Sequence, residues 1–244
     1  MENFDFKNLE ERFKIFEKDF HSRMSLFLER LPKQIIEIHD HFVKTFDNLS
    51  IPVENGIRII NAHSWFPDNK LAFIELIENI KSESDFNEME PRLMSYFEHR
   101  ETINRIEESI IQNYPKRAKI ISEAFYAHRE KKFALSIPVI FSQIDGIVED
   151  KIGRNFFIRN EGRMSTKETA NLMETGNKLV DSLLLPLKDP SSINFNKKER
   201  SSNFSELNRH MVLHGQSLDY PTKINSLKAI SMLNYIDLTF SDLN

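Results

Sequence analysis

The sequence predicts an all-α fold, and three observations carry that prediction. Apolar residues recur at three- and four-residue steps along most of the chain. Glycine is scarce, at 6 of 244 residues, whereas phenylalanine is heavily used, at 20, a balance that favours helices over glycine-punctuated β architecture. Helix-start signatures (Ser165 with Glu168, Asn203 with Glu206, Pro221-Thr222) stand before several of the periodic runs.

The elements follow in order. Leu9, Phe13, Phe16, Phe20, Met24, Phe27 and Leu31 form one apolar helical stripe, close to a heptad seam, with charges elsewhere. Pro32 ends or kinks that helix, and the pattern resumes from Ile35 to Leu49. Over 50–66, Pro52 and Gly56 break the period, and Ile57, Ile59 and Ile60 suit a short extended piece. Trp65-Phe66 reads as an anchor leading into a helix with Pro67 in its first turn. Helical stripes return over Leu71–Ile80, Leu93–Phe97 and Ile103–Ile111. Pro115 reads as a boundary between an N-terminal helical region, 1–114, and a C-terminal helical bundle, 115–244. Beyond it, Ile121, Phe125 and His128 share a stripe. The apolar run from Phe133 continues to Ile152, either as one helix kinked at Pro138 or as a new helix capped by Ser136. Ser142, Asp145 and Glu149 align on one side of it, facing a site or solvent. Ser165 and Glu168 predict a capping box for a helix running through Leu184. Residues 186–202 read as a surface loop made cationic by Lys197, Lys198 and Arg200. Asn203 and Glu206 open a helix over Phe204–Leu213, which Gly215 ends. The last helix turns Ile224, Leu227, Ile230, Leu233 and Ile236 inward.

Composition excludes several classes. With no cysteine, the chain has no disulfide, thiolate nucleophile or zinc–thiolate site. No apolar run reaches membrane-spanning length, and the first residues lack the n- and h-regions of a secretory signal, so a cytoplasmic protein without membrane contact is expected. The net charge of −4 is unevenly spread. Residues 1–114 hold 14 Lys/Arg against 22 Asp/Glu, and residues 115–244 hold 19 against 15. The two halves therefore suit different tasks. His39, His41, His63 and His99 lack ligand spacing and read as surface histidines.

The stretch from Asn208 to Gly215 gathers the chain's most useful chemistry: a permanent cation, Arg209, and two groups titrating near neutrality, His210 and His214. Arg209 and His214, five residues apart, are rotated by about 140° on an ideal helix, whereas His210 and His214 share a face. The arginine's long stem, or an early helix end at Gly215, is one route to bringing them together; a two-fold dimer that doubles each group across a groove is the other, and nearly a requirement for a catalytic site. Three other readings stand beside it. Glu206, His210 and His214 at successive four-residue steps present a facial metal set. An inert bundle serves as a dimerisation or nucleotide-binding module. Arg209 and His214 cap and pair within the bundle.

Arg209-His210 with His214, in the context Leu213-His214-Gly215, resembles the HEPN superfamily, whose signature is arginine, a polar residue, then histidine after four to six positions. Ile137-Pro138, Gln143-Ile144-Asp145-Gly146 and Ile224 to Ala229 are similar to strings in bacterial members, so the resemblance covers residues 115–240. It implies a dimeric endoribonuclease that cuts RNA without metal or cofactor, in a setting of bacterial toxins or antiphage defence. Arg209 would stabilise the transition state, with His214 as acid or base and His210 orienting phosphate or sharing proton transfer. Asp145 or Gln143 would position Arg209, and Asn208, Lys197 and Lys198 would support RNA. The N-terminal 114 residues lie outside the resemblance and are expected to meet an antitoxin or regulatory partner, sense a trigger or extend the dimer.

Overall fold

A computed structural model describes residues 51–244 apart from Glu161, Asp242 and Asn244. The expected N-terminal helices, with His39 and His41, lie outside the described residues. The chain is all-α: its described residues are helical in the main, with one antiparallel ribbon of two residues per strand, β1 (Arg159–Asn160) and β2 (Arg163–Met164).

Residues 51–62 form a helix, α1, rather than an extended piece. Val53, Ile57 and Ile60 fall at helical steps of four and three, and all are buried. Gly56 does not break this helix. A Cβ there would lie 2.2 Å from the carbonyl oxygen of Ile77, so glycine is what lets α1 approach the end of α2 (Leu71–Ile77) backbone to backbone. Trp65 and Phe66 anchor the connection by full burial, and Pro67 stands ahead of α2 rather than in its first turn.

The remaining long helices are α3 (Glu83–Glu98), α4 (Arg100–Asn113), α5 (Ala118–Arg129), α6 (Phe133–Ile152) and α11 (Lys223–Phe240), the last numbered after four shorter segments. Helix α6 runs unbroken through Pro138. Ser136 lies inside it, buried, with its hydroxyl 2.9 Å from that of Ser226. Helix α11 is the axis of the bundle: every residue from Ser226 to Asp237 is buried, and it packs against α3, α4 and α6. A helix enclosed on all sides must satisfy its own polar groups. Ser226 meets His128 Nδ1 at 2.7 Å, and Asp237 accepts hydrogen bonds from Ser109 and Asn113 at 2.6 and 2.8 Å. Asn234 donates to the buried Asp68, which also receives Arg105 at 2.6 Å and Tyr96 at 3.0 Å.

Pro115 does not divide the described residues. The unit they belong to begins at Leu49, and α4 and α5 pack together across the short 3₁₀ turn Pro115–Arg117. The expected helix through Leu184 is two pieces, α7 (Lys167–Leu172) and α8 (Lys178–Ser182), with Gly176 at φ +81° between them, and α9 (Leu185–Lys188) follows. The expected capping box is not formed. Ser165 donates instead to the carbonyl of Asn155 at 2.5 Å, and Thr166 donates to that of Leu187. Residues 186–202 also differ from a surface loop: Pro186, Leu187, Ser191, Ser192 and Ile193 are buried, and Ser191 and Asn194 cap one another's backbone around the 3₁₀ turn Ser192–Asn194.

Candidate functional site

The candidate site is built on α10 (Arg209–Leu213), shorter than expected because the helix starts at Asn208, not Asn203. Asn208 is the N-cap: its Oδ1 accepts from the Met211 N–H at 3.1 Å. The other end of the same amide donates to the carbonyls of Ser192 and Phe195, at 2.8 and 3.0 Å. One buried side chain thus starts the helix and fixes the segment beside it. At the far end His214 is the C-cap, followed by Gly215 at φ +65°, the position where glycine is favoured.

Arg209 turns inward. Its Nη2 donates to Asp145 Oδ2 on α6 at 2.8 Å, and its guanidinium lies 5.2 Å from the ring centroid of Phe157. Burial pushes the Asp145 carboxyl above its ordinary range, despite the opposing pull of Arg209. Asp145 Oδ1 and Arg209 Nε are both buried without a hydrogen-bond partner, and Nη1 takes no protein partner. The pair is therefore a single bond rather than a two-pronged clamp, and because Nε is buried only the outer Nη atoms of the guanidinium are left to meet another oxyanion.

His210 and His214 are exposed, with ring centroids 4.2 Å apart at 47°. The His210 imidazole is held below its ordinary pKa by desolvation first, then by the charges of His214, Arg200 and Arg209. No hydrogen bond or ring contact joins Arg209 to His214. Within one chain, His210 is the residue that neighbours both.

A cleft of about 370 Å³ opens beside this helix. Arg209, Arg159 and Lys197 give it basic side chains, His210 an imidazole, and Phe157 and Phe195 aromatic surface. Arg159 is tied to Glu199 by two bonds, at 2.5 and 2.8 Å, so its charge is largely compensated. Among the described residues Lys197 has no ion-pair partner. Lys198 is exposed and lies outside the cleft lining. Gln143 does not reach Arg209: it accepts from Arg117 at 3.0 Å, and Gly146 leaves the room that Arg117 fills.

This chain matches no family model, no curated protein and no solved structure.

The facial metal set is not formed. Glu206 precedes α10 and is held by His63 Nδ1 at 3.2 Å and by the buried Lys228 at 3.3 Å. No cluster of His, Asp and Glu suited to a metal ion occurs among the described residues. His63 is likewise more than a surface histidine. It bridges Glu206 and Glu83 and stacks on Phe86 at 4.0 Å, and hydrogen bonding to Glu206 raises its pKa against the opposing effect of burial. Among the described residues no helix is long and apolar enough to cross a membrane.

Sequence reasoning did not connect Phe157, Arg159 and Phe195 to the site. Phe157 and Phe195 stand in irregular segments 38 residues apart, and an aromatic in a polar loop was the available signal.

Proposed function

We propose that the chain is a metal-independent endoribonuclease, with Arg209 as phosphate ligand and the His210–His214 pair as proton-transfer groups. The observation that carries this reading is Arg209 itself. It is oriented from below by Asp145 and Phe157, keeps donors unspent, and borders a cleft next to two imidazoles. Strand cleavage by the RNA's own 2′-hydroxyl needs a base for that hydroxyl, an acid for the departing 5′-oxygen and a cation for the charged phosphorane. His210, whose pKa is lowered by desolvation and then by its charged neighbours, suits the base, and His214 beside it is the second proton-transfer group. Arg209 supplies the cation, held in place by Asp145 rather than by a long flexible stem.

Because no contact links Arg209 to His214 in one chain, the complete site is assigned to a homodimer in which α10 of each copy faces the other. The HEPN resemblance gives the same assignment. A cytoplasmic toxin or defence role, restrained by an antitoxin or regulatory partner bound through the N-terminal half, follows from that resemblance.

The test is cleavage of a labelled RNA in EDTA. Arg209→Ala and His214→Ala, each melting within a few degrees of the parent, should each lose at least about 10²-fold in rate. Undiminished cutting by both variants would refute the assignment. RNA binding without any cleavage by the parent would make the chain a non-cleaving nucleotide- or RNA-binding module. Activity lost in EDTA and restored by zinc or manganese would require a metal mechanism.

A further inference from the structure

We infer that Ser64, at the end of α1, is a positioning residue for the candidate site: its hydroxyl sets where α10 begins and hence where Arg209 stands. That role rests on the preceding reading of Arg209 as a phosphate ligand and adds a residue from outside the HEPN resemblance. Helix α1 ends in an arrangement that usually calls for glycine. The Trp65 N–H donates to the carbonyl of Ile60 and the Ser64 N–H to that of Asn61, at 2.9 and 3.0 Å, and Ser64 takes φ +63°. A residue with a Cβ is disfavoured there, and glycine would carry the same turn without strain. Ser64 is also fully buried, where an unpaired hydroxyl is costly. Serine is thus unfavourable twice over at this position unless its hydroxyl has a task.

Its partners show the task. Ser64 Oγ donates to the carbonyl of Leu207 at 3.2 Å, and with its one proton so used it accepts from Ser192 Oγ at 2.6 Å. Leu207 stands two residues before Arg209, and the Ser192 carbonyl accepts from Asn208 Nδ2, the cap of α10. One hydroxyl therefore meets both supports of the helix start: the backbone that enters it and the turn to which its cap is tied. The residue before Ser64 adds to this grip, since His63 holds Glu206. Ser192, Leu207 and Asn208 are all buried, so a lost contact is not made good by bulk water. Asp145 and Phe157 hold the guanidinium of Arg209, and Ser64 holds the backbone from which it projects. A phosphate ligand needs both, because catalysis is sensitive to displacements of about 1 Å.

Two substitutions that remove the same hydroxyl separate positioning from stability. Ser64→Ala keeps a Cβ in the left-handed turn and Ser64→Gly relieves it, so Ser64→Gly should melt at the higher temperature. Placement of α10 should not follow that order. In both variants the Met211 and Val212 amides should exchange hydrogen at least about tenfold faster than in the parent, relative to those of α6. Ser192→Ala, which leaves the turn intact, should speed them in the same way. In cleavage of a labelled RNA, kcat should fall at least about tenfold in both Ser64 variants, and by more than KM changes. Unchanged α10 exchange in Ser64→Gly would overturn the inference. So would undiminished kcat in both variants, or a kcat that tracks melting temperature and recovers in Ser64→Gly. A parent that cuts no RNA removes the nuclease, and α10 exchange then decides alone whether Ser64 sets the helix. A parent that cuts RNA while α10 exchange is unmoved leaves the nuclease and removes the role of Ser64.

Discussion

His210 is the side chain whose behaviour most directly reports on the site. Its ring is close to solvent, yet its pKa is held down by the slight desolvation at the helix surface and by three cationic neighbours, His214, Arg200 and Arg209. Of these, Arg200 is outside the proposed chemistry and has no ion pair, so it can be removed without disturbing the groups that act on RNA. In Arg200→Ala the His210 resonance, followed by NMR, should titrate at a higher pH than in the parent, and the acid limb of the cleavage profile should move the same way. Lower salt should enlarge the difference, because exposed charges are screened within about 8 Å at physiological ionic strength. A His210 titration indifferent to both Arg200 and salt would remove the electrostatic argument for its neutral state. The Arg209–Asp145 pair obeys a different rule. Burial raises Asp145 while Arg209 opposes it, so Asp145→Ala would leave a partly buried guanidinium without its partner.

At the level of the element, Asn208 shows why a cap in a protein is not the cap of an isolated helix. Asparagine and aspartate are equivalent N-caps in peptides. Here the amide nitrogen donates to two buried carbonyls, those of Ser192 and Phe195, in addition to the capping bond made by its oxygen. Asn208→Asp would keep the cap and turn a carboxylate oxygen toward both carbonyls. We expect it to destabilise the chain by at least about 2 kcal/mol, where cap statistics predict no change. Chemical denaturation of the two proteins measures this, and equal midpoints would show that the carbonyl contacts carry no weight. The same local detail explains what the sequence could and could not reveal. The long stripes of α4 and α6 were legible because burial of one face leaves a periodic record, whereas in α11, buried on every side from Ser226 to Asp237, the apolar stripe was legible and the burial of its polar residues was not. The pairing of Asp145 with Arg209 was a candidate, beside Gln143, through the resemblance alone, since the polar side of α6 by itself suited a site or solvent equally. The start of α10 was not: Asn203 with Glu206 offered a good cap signal, but Glu206 is claimed by His63 and Lys228, which come from elsewhere in the chain. Gly56 and Pro52 read as breakers because the carbonyl of Ile77 that demands the glycine lies 21 residues away. The segment 186–202 read as solvated because three or four apolar residues suffice to bury a short turn, too few to establish a period.

Across the whole molecule, stability should depend on pH through two histidines of opposite sign. His128 is buried against Phe133 and hydrogen-bonded to Ser226, and desolvation lowers its pKa from 6.5 to about 4. Its folded pKa lies below the unfolded one, so between these values the unfolded chain takes up a proton that the native chain refuses. Stability is therefore full above about pH 6.5, falls as pH drops toward 4 and levels off below it, a loss on the order of 3 kcal/mol for this one group. His63 works the other way. Its hydrogen bond to Glu206 raises its pKa, so its contribution is complete below pH 6.5 and is lost as pH rises through the raised value. Together they place the stability maximum near neutrality, with the acid side governed by the core of the bundle and the alkaline side by the bridge that holds Glu206 ahead of α10. His128→Asn, which can still bond Ser226 but does not titrate, should flatten the loss between pH 6.5 and 4 while costing stability at pH 7 for the lost ring packing. His63→Gln should remove the decline above neutrality and, because His63 also holds the Glu206 carboxyl below its ordinary range, weaken that carboxylate's share of the acid-side loss. Denaturation midpoints measured from pH 4 to 9 decide both. If His128→Asn retains the parent's acid slope, that slope belongs to the carboxylates and not to the buried imidazole.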